Sequence, residues 1–350
     1  MIKPSKITMP VLTALVAMTA SGVLAQIDSN HSVDPTWMWT SEPVSEKAIT
    51  VIEAVPGSDI PVHLMFVELK DGVYAPIGLR KPEGTGPFPT IVFAHMNGGL
   101  GLRWIREWTQ NGSWTLEQFL AAGYAVVWMR YRAEVESSYG SPLIEGEWQG
   151  RQIFSRGPFE YEDAISIIEY IKTLPFVDSA RLGYLGVSHG GEMLMKIATE
   201  YNGLRAGIAN EPASIEYLAR RSREPSDIQT EPGAETHEHY SPQLELKRTL
   251  EMRRRLNLET ATKRIDAINM PILVQGRHRD HNQAIFRLSY ELLKEAGKDV
   301  EWKSYDHDEH AFIIVKRNAD GAYDPDLMQL EAVRDSIAYF DRHMKMAAEE

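Results

Sequence analysis

Cysteine is absent from all 350 residues. That excludes disulfides, thiolate metal sites and a cysteine nucleophile. Basic residues are in deficit, with 37 Lys and Arg against 49 Asp and Glu, a formal charge of −12. A chain this acidic is a poor holder of nucleic acid or anionic lipid, so neither is expected as a partner. Long apolar runs are scarce as well. The first of note, Val11 to Met18, is short for a membrane span. Lys3 and Lys6 precede it, and Val23-Leu24-Ala25 follows as a small-residue cleavage site before Gln26. Residues 1–25 therefore read as a signal peptide, which predicts a periplasmic or secreted protein with no membrane span after cleavage. Cleavage removes Lys3 and Lys6 and no acid, moving the formal charge from −12 to −14. No cysteine follows the cleavage site, so a lipid anchor is unsupported.

What remains has the composition of a globular chain, 43% hydrophobic and 25% charged. Its length suits one large α/β domain with insertions, or two ordinary domains. Residues 26–85 read as an N-terminal arm with an edge hairpin. Ala48 to Val55, Val62 to Leu69 and Val73 to Leu79 are strand-like, and Asp71-Gly72 is a hairpin signal. From residue 86 onward, buried strands alternate with helices. Strands are expected at Thr90 to Ala94, Tyr124 to Met129, Leu182 to Val187, Ala206 to Ala209, Pro271 to Gln275 and Val300 to Tyr305. Helices are expected at Leu116 to Ala122, Tyr161 to Leu174, Glu192 to Glu200, Leu244 to Leu256, Ile285 to Ala296 and Asp326 to Met344. Residues 213–265 break this rhythm and are too long for a plain connection, which predicts a cap inserted over a site. Lys247-Arg248 and Arg253-Arg254-Arg255 within it read as a solvated helix face. His237-Glu-His239 lacks the spacing of a helical metal pair. Trp104, Trp108 and Trp114 read as packing residues on a loop segment before a helix.

The chemistry centres on Gly186-Val187-Ser188-His189-Gly190, a G-x-S-x-G nucleophile elbow. A strand turning sharply into a helix leaves one residue strained at the apex with its side chain presented. Glycines two places either side let strand and helix backbones approach without a clashing Cβ. A serine hydroxyl is a weak nucleophile until a base takes its proton and a carboxylate fixes the base's tautomer. The α/β-hydrolase order is Ser, acid, His, each after a strand. Ser188, Asp280 and His310 supply that order. Glu211, at the end of an earlier strand, is the alternative acid, and His307 the alternative base. The oxyanion donors are expected to be the His189 backbone N–H and one near Met96, in the glycine-rich loop His95-Met-Asn-Gly-Gly99.

These residues resemble the prolyl oligopeptidase family catalytic domain, within the wider α/β-hydrolases that include dienelactone hydrolases. The resemblance runs from about Val73 to the C-terminus. Gly-Val-Ser188-His-Gly-Gly is similar to the family's G-x-S-x-G-G, and Tyr131-Arg132 with Tyr139-Gly140 to its Asn-Tyr-Arg-Gly…Tyr-Gly segment. Gln275-Gly276…Asp280 resembles its His-Gly-x-x-Asp, and Tyr305-Asp-His-Asp-Glu-His310-Ala-Phe its Tyr…Asp-His-Gly-Phe. One residue more separates Gly276 from Asp280 than in that pattern. Ala311 stands at its glycine, and His95-Met96 where His-Gly is frequent. Too few residues precede the core for the β-propeller of the large members.

The resemblance implies an α/β-hydrolase fold and a serine hydrolase, which the signal peptide would export. It would cleave an ester or amide of a small molecule or short peptide through an acyl-enzyme, without a cofactor. Two alternatives stand beside it. One is a non-catalytic binding protein on the same scaffold. The other is a metal-dependent hydrolase using His278, Asp280, His281, Asp306, His307, Asp308 and His310.

Overall fold

The computed structural model describes residues 51–70, 72, 74–94, 101–110, 114–130, 158–212, 241–278, 280 and 282–345. All of them belong to the compact unit Val44–Glu350. The signal-peptide and arm readings (1–45), the 95–99 loop with Met96, Tyr131-Arg132, Tyr139-Gly140, residues 213–240 and His281 lie outside the described residues.

A nine-stranded sheet forms the centre. Its first three strands are β1 (Val51–Val55), β2 (Ser58–Glu68) and β3 (Tyr74–Arg80), an antiparallel meander at one edge. After it come β4 (Phe88–Ala94), β5 (Ala125–Met129), β6 (Val177–Val187), β7 (Ala206–Asn210), β8 (Ile272–Arg277) and β9 (Val300–Tyr305). The spatial order is β1-β2-β3-β5-β4-β6-β7-β8-β9. β3 joins β5 antiparallel, and every pairing from β5 to β9 is parallel. Parallel strands need crossovers, and the crossovers here are helical.

The described helices are α1 (Gly101–Gln110), α2 (Trp114–Ala121), α3 (Pro158–Lys172), α4 (His189–Ala198), α5 (Pro242–Arg254), α6 (Leu258–Asp266), α7 (Gln283–Glu295) and α8 (Leu327–Phe340). The period-2 alternation of the central strands divides them between two cores. Val92, Ala94, Val127, Met129, Leu182 and Tyr184 pack with Ile168 of α3, Leu194 of α4, Ile265 of α6 and Leu288 of α7. Ile91, Phe93, Val126, Trp128, Leu185 and Val187 face the other way, toward Trp108 of α1, Phe119 of α2 and Phe340 of α8. A sheet buried on both faces needs near-continuous apolar strands, which is why the runs at Ala125–Met129 and Ile272–Val274 carry so little polarity. Each fully buried large apolar side chain contributes about 1.5–3 kcal/mol relative to exposure.

The helical stripe of α3 comes out at Ala164, Ile167, Ile168 and Ile171, with Ile165 at its margin. α1 corrects the sequence reading, which took Trp104 to Trp114 as a loop. Leu102, Arg103, Arg106, Glu107 and Gln110 are good helix formers, so local propensity favours this helix, and burial of Ile105 and Trp108 against the sheet stabilises it. Trp108 stacks on Trp128 at 5.5 Å with 6° between the rings, so it is a packing residue as expected. Within the predicted cap, the described part 241–265 consists mainly of α5 and most of α6. Leu256, Ala261 and Ile265 are buried in the main core. Arg253 is held to Glu295 of α7 by two hydrogen bonds, of 2.6 and 2.5 Å.

Candidate active site

The parallel register gathers the functional loops at one edge of the sheet. Ala94 is level with Gly186, Val187 with Asn210, Asn210 with Gln275, and Arg277 with Tyr305. The segments leaving these strands therefore emerge side by side at the carboxyl ends, where open α/β sheets build sites. Ser188 follows β6, Glu211 follows β7, Asp280 follows β8, and His310 follows β9.

Ser188 is the apex of the elbow, with φ 55° and ψ −112°, immediately before α4. The glycines around it are there for space. A Cβ on Gly186 would lie 2.1 Å from the Gly190 carbonyl oxygen, and one on Gly190 would lie 2.2 Å from that of Ala94. Both obstacles are backbone atoms that cannot swing aside. Gly190→Ala is therefore expected to lower stability by about 1–3 kcal/mol, the usual cost of overpacking, and to displace the elbow. A urea-denaturation midpoint unchanged from the parent would contradict this. His189 opens α4, so its backbone N–H points out of the helix N-terminus, where the macrodipole favours negative charge. Its imidazole is buried, with Nδ1 3.4 Å from Glu192 Oε2, and Glu192 in turn meets Lys196 at 3.2 Å. The side chain is thus engaged within the helix, and the amide lies at its N-terminus.

His310 Nδ1 lies 2.7 Å from Asp280 Oδ2. Asp280 Oδ1 accepts the Asn282 N–H at 2.7 Å. β8 continues to Arg277, and the turn after it is closed by the Asp280 N–H donating to the Arg277 carbonyl at 3.2 Å. His307 is engaged elsewhere, with Nε2 2.9 Å from Asp326 Oδ2 and its ring stacked on Phe312. Of the two histidines, His310 is the one beside Asp280.

Glu211 is drawn into the same cluster. It is wholly buried; its Oε2 accepts the Ala311 N–H at 2.5 Å, and its Oε1 is 3.7 Å from His310 Nδ1. Between the acids sits Arg277, also buried, with Nε 3.1 Å from Glu211 Oε1 and Nη2 3.0 Å from Asp280 Oδ2. The first contact has ion-pair distance but poor hydrogen-bond alignment, since neither atom has a hydrogen-bond partner. Arg277 Nη1 also donates to the Asp308 carbonyl at 2.7 Å, tying the His310 loop to β8. The sequence reading passed over Arg277. Its signal was a cation at the end of an otherwise apolar strand, which burial obliges to find a carboxylate.

Electrostatics separate the two acids. Burial pushes Asp280 upward, but the hydrogen bond and charge of His310, the Asn282 N–H and Arg277 outweigh it and hold the carboxyl at about 2. For Glu211 burial prevails over His310, and the Asp280 charge adds to it, pushing the carboxyl up to about 7. Burial pulls His310 down, yet the Asp280 hydrogen bond and the charges of Glu211 and Asp280 leave it raised above 6.5. Asp280 is thus the acid of the two whose carboxyl is held low, and the one hydrogen-bonded to the imidazole.

Glu211, Asp280 and His310 are also the one group among the described residues whose ligand atoms converge closely enough for a metal. Asp306 and Asp308, by contrast, are exposed. The positive charge such a cluster calls for is already supplied by Arg277.

Strain marks the same place. The non-glycine residues with positive φ among those described are Ser188 (55°), Glu211 (47°) and Ala311 (63°), which follow β6, β7 and His310 respectively. Each costs about 1–3 kcal/mol and persists only where its surroundings over-determine it.

Comparison with known proteins agrees with this geometry. The model of the prolyl oligopeptidase family matches residues 110–347. The uncharacterized peptidase YuxL of Bacillus subtilis (strain 168) is 27% identical over 162 residues, which cover 44% of this chain and 22% of that one. The acylaminoacyl peptidase of Pyrococcus horikoshii superposes with a TM-score of 0.54 at 18% identity, over 84% of this chain and 43% of the other. Acetyl xylan esterase 1 of Thermoanaerobacterium sp. JW/SL YS485 gives 0.52 at 16% identity, over 84% and 88%. This chain therefore spans less than half of those two peptidases and most of the esterase's length. At such identities the superpositions speak for the fold, an α/β-hydrolase. The family match covers well over half of the chain, from α1 through every residue of the Ser188, Asp280 and His310 cluster, and on that ground the chain belongs to the prolyl oligopeptidase family.

Proposed function

We propose that this protein is an exported serine hydrolase that cleaves small esters or short peptide derivatives through an acyl-enzyme on Ser188. His310 is the general base, Asp280 fixes its tautomer, and the His189 amide is one oxyanion donor. The second donor is an N–H near Met96. The observation that carries this reading is the 2.7 Å contact of His310 Nδ1 with Asp280, at the sheet edge where Ser188 occupies the elbow. It leaves Nε2 as the nitrogen that takes the serine proton. In the acylation step the Ser188 Oγ–carbonyl bond forms as its proton passes to Nε2, and the oxyanion is held by backbone N–H groups. Collapse expels the leaving group with that proton. Water then repeats the sequence to release the acid and regenerate serine.

Residues 1–25 carry the export signal, so the mature enzyme acts in the periplasm or outside the cell. Among the described residues no helix is long and apolar enough to cross a membrane. Access is governed by the 213–265 insertion, and the −14 surface disfavours strongly acidic polymers.

The test is a comparison of matched substrates. An ester is expected to react faster than the corresponding amide, because alkoxide leaves more readily than amine. Intact casein is expected to remain undigested. A chelator should leave the rate unchanged, since the chemistry needs no metal. A preference for the amide, or ready digestion of casein, would move the protein to the peptidases of its family. Chelator inhibition reversed by zinc would favour a metal enzyme.

A further inference from the structure

Glu211 is more than a spare acid. It follows β7, accepts the N–H of Ala311 at 2.5 Å, and stands 3.7 Å from His310 Nδ1, while Asp280 holds that nitrogen at 2.7 Å. Arg277 spans both carboxylates, at 3.1 and 3.0 Å. Among the described residues, the charged groups facing His310 are Glu211 just after β7, Asp280 from the turn after β8, and Arg277 from β8 itself. Charge counting then distinguishes the two stages of the reaction. With both acids ionised, the cluster carries −1 when His310 is neutral and 0 when it is imidazolium. With one carboxylate alone the same stages would be 0 and +1. In a buried site the neutral arrangement is the cheaper one. The second carboxylate therefore favours the state in which His310 holds the serine proton.

We propose that Glu211 is a positioning residue for His310. It clamps the His310–Ala311 backbone in its left-handed turn and acts, together with Asp280, as counter-ion to the imidazolium formed during acyl transfer. This rests on the Ser188–His310–Asp280 reading. It assigns a role to a residue that reading leaves idle, and it gives a reason for the positive φ shared by Glu211 and Ala311 across one hydrogen bond.

Glu211→Gln is the decisive variant, because the amide oxygen can still accept the Ala311 N–H while the charge is lost. With p-nitrophenyl acetate, kcat is expected to fall about tenfold with KM unchanged. The acid limb of the rate profile should move down by about one pH unit, since one pKa unit of lost imidazolium stabilisation is a factor of ten in each. In an Asp280→Asn background the same change should cost more than it does alone, because each carboxylate partly covers for the other. Wild-type rate and an unmoved limb overturn the proposal. A slower rate with an unmoved limb leaves a purely structural clamp and overturns it too. A loss larger than that of Asp280→Asn makes Glu211 the principal acid, which also overturns it.

The underlying reading fails separately, and visibly, if Ser188→Ala or His310→Gln retains full activity. Should Glu211→Gln not fold, histidine NMR of the wild-type protein decides. The His310 titration is expected to show two inflections, one from the carboxylate beside it, and a single inflection overturns the role.

Discussion

Ser188→Ala is expected to abolish ester turnover and covalent labelling by a fluorophosphonate while leaving the fold intact. Removing the nucleophile of a serine triad costs about six orders of magnitude in kcat, because base, acid and oxyanion donors then have nothing to activate. The structural cost should be small by comparison. Alanine deletes one hydroxyl at a position 7% exposed, and the strain at φ 55° is the same for either side chain. The readouts are therefore separable: labelling followed by mass spectrometry of the Ser188 peptide, and a thermal melt of both proteins. Labelling that persists in the variant would remove Ser188 from the chemistry. Labelling that disappears together with a collapsed melting transition would instead show the elbow to be structural. A third result, no labelling of the parent under conditions that label esterases, would favour a binding protein on a hydrolase scaffold.

The second large effect belongs to Asp280. Asp280→Asn is expected to lower kcat by about 10³–10⁴, with the structure retained, because an amide facing Nδ1 favours the wrong imidazole tautomer and offers no charge to the imidazolium. The substitution acts on the 2.7 Å hydrogen bond, whose carboxyl is drawn down to about 2 and hence ionised throughout the working range. Glu211, a full ångström farther from Nδ1 and pushed up to about 7, cannot replace it fully. In the parent enzyme activity should rise with pH as His310 loses its proton. Its partners raise its affinity for that proton, so the rise lies above the ordinary histidine value of 6.5. A midpoint below 6.5, or an Asp280→Asn variant as active as the parent, would contradict this arrangement.

Much of this architecture is legible in the chain itself. Strand and helix alternation from Thr90 onward follows from apolar runs and their periods, and β9 comes out at the very residues expected, Val300–Tyr305. The elbow is legible because its constraint is local: five consecutive residues must turn from strand to helix, and only glycine fits two residues from the serine. Asp280 and His310 follow from order, since each stands in the loop after a strand. Helix α1 is legible as well, in its good helix formers and apolar spacing, although its three-tryptophan neighbourhood suggests a packed loop.

The remaining decisions belong to tertiary structure. Order along the chain favours Asp280 over Glu211 and His310 over His307, but it carries no distances. In the fold His307 meets Asp326 and Phe312, and His310 meets Asp280. It also brings Arg277 between two carboxylates separated by 69 residues of chain, and leaves all three left-handed non-glycine residues among those described at one edge of the sheet. Residue types and their order are written along the chain, so a motif confined to one turn can be recognised there. Distances of 2.7 against 3.7 Å, and the burial that divides one carboxyl from another, exist only once the parallel register of β6 to β9 has set the ends of the strands side by side.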